Sequence, residues 1–205
     1  MSASHVSMAI SVIFLASSVY LYRNLQRYRQ EVAHLTEIIG HKNAELERVY
    51  QNFLTQDKNN CAELSAEIEL VSVENQKVGL PDIVGEQAQI ILVIPKSACN
   101  SCFDTAMEEI KLFFEELEKA AMEVIILTHT GRVRETIANF EQWNMNPAVY
   151  GLNDSGLSLF AEQGDSPFFF VLDPSLRGKR FFILNRNNPR FNQIYFREIL
   201  SVFVN

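Results

Sequence analysis

Residues 90–114 read IILVIPKSACNSCFDTAMEEIKLFF. An apolar run, Ile90 to Ile94, stops at Pro95, and a short polar turn follows. Continuous apolar runs of this length, bounded by turn residues, read as fully buried strands. Beyond the turn, Phe103, Met107, Ile110, Phe114 and Leu117 recur at three- and four-residue steps, which predicts an amphipathic helix over residues 100–120. Cys99 and Cys102 therefore stand where a strand gives way to a helix, one helical turn apart.

That placement has chemical consequences. A thiol reacts as the thiolate, and a helix N-terminus carries partial positive charge from its unpaired N–H groups. Cys99 would be the exposed nucleophile of lowered pKa. Cys102 would attack a mixed disulfide formed at Cys99 and release the partner. Asn100 and Ser101 between them suit a tight turn, and Lys96 adds favourable charge nearby. Two other readings of the pair stay open. A zinc site needs about four ligands, yet the chain has one C-x-x-C, and His129 is the sole histidine after residue 41. Two structural thiols without redox work are the second. No metal and no cofactor are expected.

Working outward, EVIILTH (123–129) is a second buried strand, and Val133, Ile137, Phe140 and Trp143 mark a helix over 132–143. A short strand near Ala148 and a short helix around 155–162 follow. FFFVL (168–172) and RFFIL (180–184) are joined by DPSLRGK, whose Asp-Pro and Gly make an antiparallel hairpin the natural reading. Ile194, Phe196, Ile199, Leu200 and Phe203 give a last helix over 192–204. A βαβ half and a ββα half sharing one mixed sheet, with helices on both faces, accounts for this order.

With C-x-x-C after the first buried strand and Ser166-Pro167 directly before FFFVLDP, this order resembles the thioredoxin fold. The segment SPFFFVLDPSLRGK is similar to the PTTFLIDPDGRI pattern of membrane-anchored TlpA/ResA-like thiol-disulfide oxidoreductases. The resemblance covers roughly residues 79–205. It implies an α/β thioredoxin-like domain at 78–205, catalytic Cys99 and Cys102, and a cis Ser166-Pro167 peptide that presents Ser166 and Pro167 to a substrate strand. Protein thiols and disulfides are the implied partners. Two departures stand out: the Trp that many relatives carry before the first cysteine is Ala98, and the buried Asp of thioredoxins proper is Val93.

The N-terminal part lies outside that resemblance. From Val6 to Tyr22 the chain carries no charge, then meets Arg23, Arg27 and Arg29. Such a run approaches the ~20 residues needed to span a bilayer, and Tyr20 and Tyr22 fall where an aromatic belt would lie. Residues 1–22 read as an uncleaved single-pass anchor rather than a signal peptide, because no Lys or Arg precedes the run. Residues 23–77 read as a helical stalk and linker. Leu25, Val32, Ile39, Leu46 and Phe53 recur every seventh residue, with Tyr28, Leu35 and Val49 between them and Lys42 the exception. This a/d seam predicts a coiled coil with a second copy, hence a homodimer. An amphipathic helix lying on the chain's own domain is the alternative. Cys61 falls outside the seam.

A net charge of −7 argues against nucleic acid as a partner. Three cysteines make no disulfide framework. The arginines after the anchor favour a cytoplasmic domain by the positive-inside rule, whereas the resemblance implies an extracytoplasmic one, and the latter is the expectation adopted. The function expected is thiol-disulfide exchange with protein partners. The competing expectation is a tethered thioredoxin-like adaptor with inert cysteines.

Overall fold

The computed structural model describes residues 3–98, 107–119, 122–185 and 189–203, with side chains from Phe14 onward except those of Ala16, Pro189 and Phe203. The chain divides into two units, Met1–Glu47 and Arg48–Asn205.

The first unit is helix: it holds most of α1, which runs Ala3–Asn59. Neither Gly nor Pro interrupts it except Gly40, and one isolated Gly costs a helix about 1 kcal/mol. Leu25, Val32, Leu35, Ile39 and Leu46 are all exposed along it. Among the described residues no helix is long and apolar enough to cross a membrane. The charge-free run expected to do so overlaps the residues whose side chains are not described.

The second unit is built on an eight-stranded sheet in the order β1-β8-β7-β4-β5-β6-β2-β3. Its strands are β1 (Ala62–Glu63), β2 (Glu69–Val71), β3 (Lys77–Gly79), β4 (Gln89–Ile94), β5 (Val124–His129), β6 (Ala148–Leu152), β7 (Phe168–Leu172) and β8 (Arg177–Ile183). The helices α2 (Leu80–Val84), α3 (Met107–Lys119), α4 (Val133–Gln142) and α5 (Pro189–Phe203) complete it. Strands β4, β5 and β6 are parallel, and β7 and β8 return antiparallel on the other side of β4. The βαβ and ββα halves read from the sequence are thus present, in one mixed sheet. The compact unit nonetheless begins well before the expected boundary at 78. Short β1, β2 and β3 pair onto the sheet edges, and the last turns of α1 belong to it. Two- and three-residue strands carry too little alternation to be read from sequence.

The two sheet faces are covered unequally. On one, Ile90, Leu92, Ile126 and Phe169 pack beneath Met107, Ile110 and Phe113 of α3, Phe140 of α4 and Phe196 of α5. Two successive right-handed crossovers between β4, β5 and β6 place α3 and α4 on the same side. Aromatic rings join the three helices: Phe113 stacks on Phe196 at 4.2 Å and Phe114 on Phe140 at 6.0 Å between centroids. The opposite face buries Ile91, Val93, Phe168 and Phe170 beneath Leu80 and Val84 of α2 and the loops around Leu157 and Ala161. Helix therefore covers both faces, but all three long helices of the domain share one.

The last turns of α1 are held by polar groups. Asn52 exchanges two hydrogen bonds with the backbone of Ile183, and buried Asn59 accepts from the Phe160 N–H at 2.9 Å. Meanwhile Val49 and Phe53, the seam residues in these turns, stay exposed. The turns that touch the domain do so through a different face from the apolar seam.

Candidate functional site

Strands β4, β5 and β6 end, and β7 begins, along one edge of the sheet. The segments Pro95–Ala98, His129–Arg132, Asn153–Asp154 and Gly164–Pro167 meet there. In open α/β sheets, the carboxyl ends of parallel strands form the crevice where ligands bind. Cys99 and Cys102 lie outside the described residues, so their approach is seen from both flanks. Ala98, on the near side, and Met107, on the far side, are both buried in the core beneath the three helices.

Ser166 and Pro167 are brought to this edge. Phe168 pairs with Val93 of β4, and the Ser97 hydroxyl donates to the Gly164 carbonyl at 3.2 Å. The loop leading to Cys99 is thereby tied to the loop that carries Ser166 and Pro167. The Ser166–Pro167 peptide is trans, as is every described peptide bond, which corrects the expected cis-proline. The Pro167 carbonyl accepts from the Leu184 N–H at 2.9 Å, just ahead of the β7–β8 pairing. Beside Ser166 opens a cavity of about 310 Å³, lined among others by Arg48, Asn52, Asp165 and Asn185.

The cations on the segments leading to this edge are arranged differently from the sequence expectation. Lys96 is two-thirds exposed and bound to Asp154 at 2.9 Å, so its charge is largely spent there. His129 joins the same carboxylate: its Nδ1 accepts from the Gly131 N–H at 3.2 Å, leaving Nε2–H to donate to Asp154 at 3.1 Å. Lys96 first, then His129, holds the Asp154 carboxyl below its ordinary range. A cleft of about 190 Å³ lies over this cluster, between Val93, Pro95 and Gly156.

Arg132 was not singled out from sequence. Its guanidinium is sheltered, with about a fifth of the side chain exposed, and Nη1 donates to the carbonyls of Ala98 at 2.9 Å and Pro95 at 3.3 Å. The signal was its position, three residues past the end of a parallel strand. Thr128 is a second surprise: fully buried, its hydroxyl has no hydrogen-bond partner among the described residues. By strand alternation it shares the face of Val124 and Ile126, onto which Ala98 and Met107 also pack. Among the described residues no acid is fully buried, and Val93 is itself buried in β4.

Four central strands in the order β8-β7-β4-β5, with a helix crossing between the parallel pair and another closing the hairpin, decide the architecture. The fold is thioredoxin-like. No family model matches the sequence, and no curated protein matches it. Solved structures similar to it include a thiol:disulfide interchange protein from Bacteroides sp., with 11% identity, TM-score 0.45, 64% of this chain and 86% of that one. A thioredoxin-like protein from Porphyromonas gingivalis gives 14% identity, TM-score 0.45, and coverage of 70% and 95%. Peroxiredoxin Q from Xanthomonas campestris gives 13%, 0.46, 70% and 96%.

Proposed function

We propose that the protein is a membrane-anchored thiol-disulfide oxidoreductase acting on protein partners through Cys99 and Cys102. The observation that carries this reading is the Ser97–Gly164 hydrogen bond. It joins the segment entering C-x-x-C to the Ser166–Pro167 loop at the carboxyl edge of the parallel strands. A reactive thiol placed there has a partner-binding loop beside it, and the cavity next to Ser166 has room for a side chain of that partner.

The exchange balances as follows. The Cys99 thiolate attacks one sulfur of a partner disulfide, the partner's S–S bond breaks, and one partner thiolate leaves and takes a proton. The Cys102 thiolate then attacks Cys99 in the mixed disulfide, releasing the second partner thiol. Two electrons pass to the partner, and Cys99–Cys102 becomes the disulfide. The reverse sequence oxidises a partner dithiol.

The charge-free run before Arg23 supports an anchor in the membrane; the domain is placed on the extracytoplasmic side on the resemblance of SPFFFVLDPSLRGK to the TlpA/ResA-like pattern, against the charge of Arg23, Arg27 and Arg29. The exposed seam from Leu25 to Phe53 supports a parallel homodimer, because its repeat is that of a coiled coil and the contact with the sheet uses other residues. A redox-inert adaptor is the second reading, favoured by buried Val93 where a proton-accepting acid would help Cys102.

Substitution of the cysteines separates the two. Cys102→Ser should accumulate mixed disulfides at Cys99 that a non-reducing gel resolves, and Cys99→Ser should abolish exchange. A Cys102→Ser protein that captures no partner, with a wild type that does not exchange with dithiothreitol, would leave only the adaptor.

A further inference from the structure

We propose that the last turns of α1 complete the partner site: the cavity beside Ser166 takes a large apolar side chain, leucine or aromatic, from the partner polypeptide. This rests on the oxidoreductase reading for what the partner is, but not for the chemistry of the pocket. Its volume is about 310 Å³, against about 150 Å³ for an apolar cavity that holds benzene. Arg48 and Asn52 of α1 line it together with Ala161 and Gly164 ahead of Ser166, and with Ile183 and Leu184 where β8 ends. Helix α1 is no part of the thioredoxin-like fold, so the selectivity belongs to this chain rather than to the fold.

The polar groups of the lining are already paired. Asn52 commits Oδ1 and Nδ2 to the Ile183 backbone at 2.6 and 3.2 Å. The Asn185 N–H donates to buried Asn192 at 2.9 Å, and the Ser166 hydroxyl donates to Asp165 at 3.2 Å. Arg48 is engaged as well. A polar occupant would exchange its water for groups that already have partners, which yields little. An apolar occupant gains by leaving water, and Ala161, Leu184 and half-buried Ile183 present carbon to it. Exposed Asp165 on the same lining repels anionic lipid. The tie from Ser97 to Gly164 sets the pocket beside the segment entering C-x-x-C, so the occupant is the partner chain rather than an acyl chain.

The test is photo-crosslinking of the full-length protein in lipid nanodiscs with the cysteine-free peptide acetyl-Ala-Ser-photoleucine-Ala-amide, mapped by peptide mass spectrometry. Label should fall within residues 48–52, 161–166 or 183–185. Acetyl-Ala-Ser-Phe-Ala-amide should compete at a concentration about tenfold or more below that of the same peptide with Ser for Phe, the ratio that burying one Phe side chain supplies. Gly164→Leu should abolish the labelling. Gly164 has a φ of −88°, and a Cβ there would meet only the Ala161 carbonyl oxygen, at an ordinary 3.6 Å, so the leucine takes cavity space without straining the backbone. Equal competition by the two peptides, label elsewhere on the chain, or undiminished labelling of Gly164→Leu overturns the proposal. So does a dodecyl chain that competes as well as the Phe peptide, which would give the cavity to lipid. Should Gly164→Leu not fold, the wild-type ratio and the map of labelled residues decide alone. The peptides carry no thiol, so the two readings fail separately. Selective labelling of a protein that never exchanges with dithiothreitol sinks only the oxidoreductase. Exchange without the preference for Phe sinks only the pocket.

Discussion

Asn52 is bonded to Ile183 as a strand would be: its Oδ1 accepts from the Ile183 N–H at 2.6 Å and its Nδ2 donates to the Ile183 carbonyl at 3.2 Å. One side-chain amide thus satisfies both backbone groups at the end of β8, where β1 no longer reaches. The far end of the same strand pairs with β1 through Gly178 and Arg177. The last turns of α1 therefore take part in the sheet's hydrogen bonding.

Asn52→Ala should remove both bonds and leave a half-buried N–H and carbonyl without protein partners. The cost expected is about 2 kcal/mol, read as a lower midpoint of denaturant unfolding. Asn52→Asp keeps the acceptor and loses the donor, and should fall between. Equal stability of all three would mean that water satisfies Ile183 as well as the amide does.

A second prediction concerns acid stability through the β7–β8 turn. Lys179, at 2.8 Å, and Ser175 hold the Asp173 carboxyl far below the ordinary carboxylate range, with the Arg177 N–H adding to them. A carboxyl depressed in the folded state binds protons more readily when unfolded. Its stabilising contribution is complete above the unfolded value of about 4 and is lost as pH falls below it. Wild type should exceed Asp173→Asn in stability at neutral pH, and the gap should close in strong acid. A gap independent of pH would assign the effect to the turn's hydrogen bonds alone.

The buried hydroxyl of Thr128, with no hydrogen-bond partner among the described residues, costs desolvation without return. Thr128→Val replaces it with a methyl of similar shape and should stabilise the protein by about 1 kcal/mol. Thermal unfolding measures this directly. A loss of stability would reveal that the hydroxyl has a partner in the folded protein.

Gly151, on β6, lies against the turn that follows β5. A Cβ there would stand 2.8 Å from the Thr130 Cα and 3.0 Å from a Val133 methyl. Backbone cannot yield as a side-chain tip does, so Gly151→Ala should destabilise by about 1–3 kcal/mol. It should also displace His129 from Asp154, which the NMR chemical shifts of the His129 ring would register. An unaltered ring signal with unaltered stability would show that the turn moves freely.

The central architecture was legible because its elements are long and strongly patterned. QIILVI, EVIILTH and FFFVL could hardly be anything but buried strands, and the three amphipathic helices announce themselves by spacing. The edge strands were not legible, since Ala62–Glu63 or Lys77–Gly79 show no period. Of the site, Ser166 and Pro167 fell where the strand order put them, although the expected cis peptide is trans. Arg132 was missed because its bonds go to two backbone carbonyls, which leave no mark on sequence. Lys96 was overvalued for the converse reason: Asp154, which occupies it, is remote in sequence and near only after folding.

The stalk supplies the last prediction. Along α1, Val32 and Ile39 are exposed at 62% and 59%, and no residue of the seam is covered. Exposed apolar residues scattered singly need no explanation, but a stripe with a seven-residue period does. Each a-position side chain would fill a hole formed by the facing helix of a second copy, and a charge there would have to be desolvated without a partner. The double variant Val32→Lys/Ile39→Lys should therefore convert a dimer to a monomer in sedimentation of the detergent-solubilised protein. The thermal midpoint of the sheet domain should not change, because its contacts with α1 run through Asn52 and Asn59. A wild type that sediments as a monomer would sink the coiled coil. A double variant that stays dimeric would place the dimer contact elsewhere than on this seam.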